Sequence, residues 1–228
     1  MVRQAFSNAN TLVANLLPSC VVTVTAAPED WCGDLLLEEH ACVTGAAKKR
    51  RREFTAGRVC ARRALGEFGI HDFPLLQRSD RYPAWPPNVV GSISHCEDCC
   101  VAVVAQSRVV RGLGVDVELA EPLDPELVPL VCTQNELKQI LQLPRDHMPD
   151  LRKLIFSAKE AVYKCYYPLT LAWLDFHDVQ IDLDLDTGTF VAQLTRPSAP
   201  DLLGSREIDG KFASTDRFVF TAVYVGPT

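Results

Sequence analysis

The 228 residues are 47% hydrophobic and 23% charged, the balance of an ordinary globular chain long enough for one large domain or two small ones. The formal net charge of −6 argues against a general nucleic-acid binder, while leaving room for a local basic site. Nine cysteines, an odd number without the spacing of a disulfide framework, suit reduced thiols in a cytoplasmic protein.

No residue between Arg3 and Glu29 is charged, and Thr25-Ala26-Ala27 loosely resembles a cleavage site. Asn8, Asn10 and Asn15 nevertheless interrupt any apolar signal region and Pro18 breaks it, so no secretory signal is expected. No run approaches the ~20 apolar residues of a membrane span. Val21–Val24 reads as a strand, Pro28-Glu29-Asp30 as a turn and Leu35–Val43 as a short helix.

A longer helix is expected from Ala46 to Phe68, closed by Gly69, with Phe54, Ala61, Leu65 and Phe68 at helical intervals. Its start carries Lys48, Lys49, Arg50, Arg51 and Arg52, followed by Arg58, Arg62 and Arg63. Cations at a helix N-terminus oppose the macrodipole, so local stability does not explain them; an anionic ligand does. From Pro74 to Pro87 the chain is irregular. Val89–His95 and the apolar Cys99–Ala105 read as strands.

Gly112–Leu119 alternates cleanly. Leu113, Val115, Val117 and Leu119 face one way, and Gly114, Asp116 and Glu118 the other. Thr133 and Glu136 form a capping box that opens a helix to about Leu141, and Pro144–Pro149 reads as a loop. A helix then runs from Leu151 to Pro168, with Leu151, Ile155, Ala158, Val162 and Cys165 as its apolar stripe. Glu160 and Lys164 lie on the opposite side, one turn apart, with Lys159 flanking. Alternation over Val179–Leu185, a turn at Asp186-Thr187-Gly188 and the segment Phe190–Leu194 make a hairpin. After a loop punctuated by Pro and Gly, Arg217–Val225 is the last strand. The chain divides near Arg111-Gly112 into halves of similar make-up, each a helix-bearing segment plus several strands.

Paired carboxylates on one strand face repel unless a cation neutralises them, so Asp116 and Glu118 have two readings: a solvated strand face, or a divalent-metal pair that Glu160 completes. Oxygen donors favour Mg²⁺ or Mn²⁺ over zinc, and sparse Mg²⁺ sites usually serve phosphate groups. Arg50, Arg58, Lys159 and Lys164 are then candidate phosphate partners, with Ser94 and His95 beside Gly91. The run His95-Cys96-Glu97-Asp98-Cys99-Cys100 fits no closed zinc spacing, and Cys99 and Cys100 read as entering a buried strand.

Five stretches in order carry a resemblance: Lys49–Arg58, Trp85-Pro86, Gly91-Ser92-Ile93-Ser94-His95-Cys96, Gly114-Val115-Asp116-Val117-Glu118 and Phe156-Ser157-Ala158-Lys159-Glu160-Ala161-Val162-Tyr163-Lys164. Together they resemble the 4′-phosphopantetheinyl transferases of the enterobactin/surfactin type, most closely the enterobactin-like branch. The resemblance implies an α/β (α+β) fold built as a pseudo-twofold pair of similar subdomains, residues 1–111 and 112–228. It implies transfer of the 4′-phosphopantetheine of coenzyme A, the co-substrate, to a serine of an apo acyl or peptidyl carrier protein, releasing adenosine 3′,5′-bisphosphate.

By the same resemblance Asp116 and Glu118 are the metal pair, and Glu160 is a third ligand or the base on the incoming serine. Lys164 meets the pyrophosphate and Lys159 coenzyme A. Arg50 and Arg58 bind the nucleotide and its 3′-phosphate. Ser94 and His95 contact phosphate, and Arg81 belongs to the loop over the adenine. Val117 stands where some relatives carry a polar residue. The carrier served, whether of fatty-acid, polyketide, or nonribosomal peptide and siderophore assembly, is not specified. One chain holding both halves has no need to dimerise, so a monomer acting without nucleic acid or membrane is expected. Two alternatives remain at this point: a Mg²⁺-dependent phosphodiesterase or nuclease, and an inactive relative that binds coenzyme A or carriers.

Overall fold

The computed structural model describes residues 2–143, 150–202 and 204–227, with side chains from residue 9 onward, so the loop expected at Pro144–Pro149 lies outside the described residues. Helix α1 (Val2–Leu16) leads into strand β1 (Val22–Thr25), two 3-10 turns (Pro28–Cys32 and Leu37–Val43) and α2 (Lys48–Gly66). Strands β2 (Val89–Cys96), β3 (Cys99–Gln106) and β4 (Gly112–Leu119) follow, then α3 (Val128–Val131), α4 (Gln134–Ile140) and α5 (Leu151–Thr170). A 3-10 turn at Phe176–Asp178 precedes β5 (Val179–Asp184), β6 (Thr189–Leu194), β7 (Glu207–Ser214) and β8 (Phe218–Val225).

Two antiparallel sheets result. Strands preceding residue 112 make a three-stranded sheet in the order β1-β3-β2, and those from Gly112 onward a five-stranded sheet in the order β4-β8-β7-β6-β5. The α/β (α+β) class is as expected, and both sheets are antiparallel. The sheets are not independent units. One core joins Ala9, Val13 and Leu16 of α1, and Leu17 just after it, to Val101 and Val103 of β3, Val115 and Val117 of β4, and Phe220 of β8. Helix α1 thus covers the sheet junction from one side.

The opposite side carries α2 and α5. Ala56, Cys60 and Ala61 of α2 pack on Cys100 and Ala102 of β3. The stripe of α5 buries Leu151, Ile155, Ala158, Val162 and Cys165 against Phe190, Ile208, Val219 and Val223 of the larger sheet. Each large aliphatic side chain so buried contributes about 1.5–3 kcal/mol before chain entropy is charged against it. Gly114 sets how close α5 comes: a Cβ there would lie 1.9 Å from the Ala161 carbonyl oxygen. A helix therefore rests directly on β4, which brings Ser157, Glu160 and Lys164 beside Asp116.

Several boundaries differ from expectation for local reasons. Helix α5 continues two residues past Pro168 to Thr170, because a proline in the last turn forfeits a single i−4 bond. Leu171, at φ 55°, closes it with its N–H on the Tyr167 carbonyl. Helix α1 and strand β7 were not anticipated from the sequence. In β7 the alternation Ile208, Gly210, Phe212 is broken by a glycine over which the Phe190 ring lies, 2.1 Å from where a Cβ would stand.

Candidate active site

Strands β2 and β4 lie side by side without a backbone ladder between them. Two serines replace it: Val115 N–H donates to Ser92 Oγ at 3.1 Å, and Val117 N–H to Ser94 Oγ at 3.3 Å. Buried backbone donors need partners, and here hydroxyls supply them where the two sheets meet. Ser94 also donates to Asp116 Oδ1 at 2.7 Å and accepts from Lys164 Nζ at 2.9 Å. Expected on phosphate, Ser94 is instead buried with its hydroxyl fully engaged by protein groups.

Asp116, 2% exposed, is the hub. Its Oδ1 accepts from Lys164 Nζ at 2.6 Å, and its Oδ2 accepts from Ser157 Oγ at 2.8 Å. Ser157 shares a 2.9 Å hydrogen bond with Thr221 Oγ1, which also donates to the Ser157 carbonyl. Ser157 was legible only as part of its segment, and nothing local to Thr221 on β8 announced its role. Lys164 completes its coordination with the Val115 carbonyl at 3.3 Å. The buried carboxylate thus has an ammonium as counter-charge.

Glu118 projects from the same face of β4, 3.6 Å from Lys153 Nζ. Burial, with Asp116 adding repulsion, pushes its carboxyl up to about 7. Burial also raises the Glu160 carboxyl, against the opposing pull of Lys164. Among the described residues no three His, Cys, Asp or Glu side chains converge as a ready metal cage.

Lys159, which the resemblance puts at coenzyme A, has its Nζ buried, where it donates to the Val131 carbonyl (2.8 Å), Glu136 Oε2 (2.9 Å) and the Phe176 carbonyl (2.8 Å). Three donors meet three acceptors, tying α5 to α3, α4 and the turn before β5. Glu136, also fully buried, is the N3 residue of the capping box expected with Thr133 and accepts from Ile181 N–H as well.

The other basic residues expected at the site line a cleft of about 280 Å³ where the two sheets meet. Arg50, Glu53 and Arg58 of α2, His95 of β2, Arg81 and Tyr82 of the connecting loop, and Glu160, Tyr163 and Lys164 of α5 all face it. Arg50 Nη1 donates to His95 Nε2 at 3.2 Å, which places the imidazole proton on Nδ1, on the side of Glu53. Burial lowers the His95 pKa, and Arg50 lowers it further, although Glu53 opposes them.

Arg58 is 4% exposed; its Nε donates to the Leu75 carbonyl at 2.8 Å and its guanidinium sits 3.9 Å over the Phe54 ring. Its Nη2 has no partner, and burial lowers its pKa to about 10. A buried guanidinium with an unmet donor beside further cations is an anion receptor. Arg81 is exposed at the cleft, in the left-handed region at φ 68°.

A second cleft of about 430 Å³ shares Glu160 and Tyr163 with the first and is walled by Trp173, Leu174, Phe176 and Val179, with Lys159 and Asp175 also bordering it. The arrangement therefore offers charged recognition at one end, carboxylates in the middle and apolar surface at the other.

Residues 38–105 match the 4′-phosphopantetheinyl transferase N-terminal domain, and residues 112–216 match the 4′-phosphopantetheinyl transferase superfamily. The 4′-phosphopantetheinyl transferase Svp of Streptomyces mobaraensis is 40% identical over 94% of this chain and 89% of its own. The 4′-phosphopantetheinyl transferase PptT of Mycobacterium tuberculosis is 33% identical over 93% of this chain and 97% of its own. Enterobactin synthase component D of Salmonella typhi is 40% identical over 58% of this chain and 56% of its own. The phosphodiesterase or nuclease alternative finds no support among these relatives. On this whole-length similarity, the chain belongs to the 4′-phosphopantetheinyl transferase family.

Proposed function

We propose that this enzyme, which transfers 4′-phosphopantetheine from coenzyme A to a serine of an apo carrier protein, seats the coenzyme across the seam between its two subdomains. The observation that carries this reading is the shared cleft. Arg50, Arg58 and His95 come from one sheet's side, and Glu160 and Lys164 from the other's. Arg58, with its free Nη2, and Arg50 take anionic groups at the nucleotide end. A phosphate beside His95 offsets the lowering of its pKa and favours the imidazolium. The apolar cleft behind Tyr163 receives the pantetheine arm.

The donor set fits a hard divalent cation: Asp116 and Glu118 share one face of β4, Glu160 lies on the helix packed against it, and a cation there would offset the burial that raises the Glu118 and Glu160 carboxyls. Asp116, Glu118 and Glu160 would hold Mg²⁺ or Mn²⁺, which when bound neutralises the pyrophosphate and the charge on the departing bisphosphate. The serine oxygen bonds to the phosphorus that carries the pantetheine arm, and the bond from that phosphorus to the adenosine bisphosphate oxygen breaks. Glu160, made more basic by burial, takes the serine proton. Lys164 Nζ, fixed by Ser94 and Asp116, stands where charge on the leaving oxygen develops.

Both walls come from one chain, which supports a monomer, and the free thiols support a cytoplasmic setting. No helix among the described residues is long and apolar enough to cross a membrane. Incubation with coenzyme A, Mg²⁺ and an apo carrier should increase the carrier's mass by one phosphopantetheine. Asp116→Ala should slow that transfer about 1,000-fold. Full activity in Asp116→Ala, or no modification across several apo carriers, would sink the assignment.

A further inference from the structure

One carboxylate remote from the reacting atoms is linked through hydrogen bonds to the basic end of the cleft. Glu39 lies in the 3-10 turn Leu37–Val43 and is fully buried. Its Oε2 accepts from Leu36 N–H at 2.9 Å and from Arg62 Nη1 at 2.6 Å. Its Oε1 accepts from Leu75 N–H at 3.0 Å. Leu75, itself fully buried, presents its carbonyl to Arg58 Nε at 2.8 Å.

One residue, Leu75, is thus held by Glu39 through its N–H and holds Arg58 through its carbonyl. With Nε pinned there and Phe54 beneath the guanidinium, the plane of Arg58 is set and Nη2 is the donor left free. Leu75 also begins the segment whose Gln77, Asp80, Arg81, Tyr82 and Pro83 line the cleft. The negative charge of Glu39 acts on Arg58 as well, opposing the cost of burying that cation. An ion pair with Arg62 alone would need none of this; the bond to Leu75 connects Glu39 to the site.

We propose that Glu39 is a positioning residue for the coenzyme: through Leu75 it fixes Arg58 so that its free Nη2 meets a phosphate at the nucleotide end, and so sets preference for the 3′-phosphorylated ligand. This rests on the proposed seating of coenzyme A. Glu39→Gln keeps the shape and an acceptor for Leu75 but removes the charge; Glu39→Asp keeps the charge but withdraws it by one methylene.

The test measures calorimetric affinity for coenzyme A and for 3′-dephospho-coenzyme A, without any carrier, alongside KM and kcat for transfer. In whichever variant retains the wild-type fold by circular dichroism, affinity for coenzyme A should fall about 10- to 100-fold, the span expected for a misplaced charged hydrogen bond. Affinity for the dephospho compound should change little, and KM should rise with kcat held. In the Arg58→Ala background the Glu39 substitution should add nothing further. Equal losses for both ligands, additive losses with Arg58→Ala, or a change in melting temperature alone would overturn the role. If wild type binds coenzyme A and both folded variants bind it equally well, Glu39 fails while the seating stands. If wild type binds no coenzyme A, the seating itself is wrong and Glu39 falls with it.

Discussion

Helix α5 meets each of its cations with an acidic partner, whereas α2 does so only late in the helix, at Arg62 and Arg63, and among the described residues leaves its first turn without one. Helix α5 begins on an N-cap, Asp150, whose carboxylate accepts from Arg152 N–H at 3.0 Å, and its cations all have acidic partners: Arg152 with Asp150, Lys153 with Glu118, Lys159 with Glu136 and Lys164 with Asp116. Helix α2 begins on Ala47 with no side-chain cap, and among the described residues no ion pair engages Lys48, Lys49, Arg50, Arg51 or Arg52. Further along, Arg58 is buried with a free donor. A helix whose charges are met inside the protein is a scaffold. A helix start whose charges oppose its own dipole and lack acidic partners is poised for an anion from outside. Glu160 and Lys164 are the exception on α5, because they face the cleft as well as the protein.

That contrast can be broken from either side. Lys159→Met should be the most damaging to the fold, because it strands the fully buried Glu136 carboxylate; a loss of about 3–5 kcal/mol in chemical denaturation is expected, with coenzyme A affinity of the folded fraction retained. A specific loss of coenzyme A binding without loss of stability would return Lys159 to the ligand. Arg58→Met should behave inversely. It removes a buried cation with an unmet donor, so the melting temperature should hold or rise while affinity for coenzyme A drops about 10- to 100-fold.

Gly114→Ala probes the contact that seats α5. With the added Cβ set against the Ala161 carbonyl, helix and strand must part, costing about 1–3 kcal/mol of stability and lowering kcat through misplacement of Glu160 and Lys164. Wild-type melting and turnover would show that the helix sits further away. The smallest effect is expected at the α5 cap. Burial tends to raise the Asp150 carboxyl, but hydrogen bonds from Arg152 and Leu123 outweigh it and hold the pKa below its ordinary 3.8. With a folded pKa below the unfolded one, the stabilisation is complete above pH 3.8 and is lost as pH falls through the folded value. Asp150→Asn should therefore leave a protein less sensitive to acid in that window, while Asp150→Ala costs about 1 kcal/mol at neutral pH. Parallel acid-unfolding curves for wild type and Asp150→Asn would remove the cap from the account.

Much of this architecture was readable in the chain. Strand β4 matches its expected limits and faces, because strict alternation over eight residues admits one register. The α5 stripe buries as its helical spacing demands, and the Thr133–Glu136 capping box forms. Helix α1 was not readable. Asn8, Asn10 and Asn15 dilute its pattern, and the apolar residues Ala9, Val13 and Leu16 gain their burial only by lying across the junction of two sheets. Strand β7 escaped because Gly210, which reads as a break, makes room for a ring from the neighbouring strand.

The sequence by itself determined the chemical inventory: two carboxylates on one strand face, a Glu–Lys pair one turn apart, a basic helix start and the family they jointly mark. Which of those charges are already answered was decided by tertiary structure alone. Lys159 and Lys164 lie on one helix, yet Lys159 turns inward to Glu136 while Lys164 reaches Asp116 and a serine 70 residues away. Arg58 is left with a donor to offer. Helix and strand periods are local and fix only the face a side chain occupies. The partner on that face arrives from distant segments, through packing contacts such as Gly114 against Ala161 that no local pattern encodes.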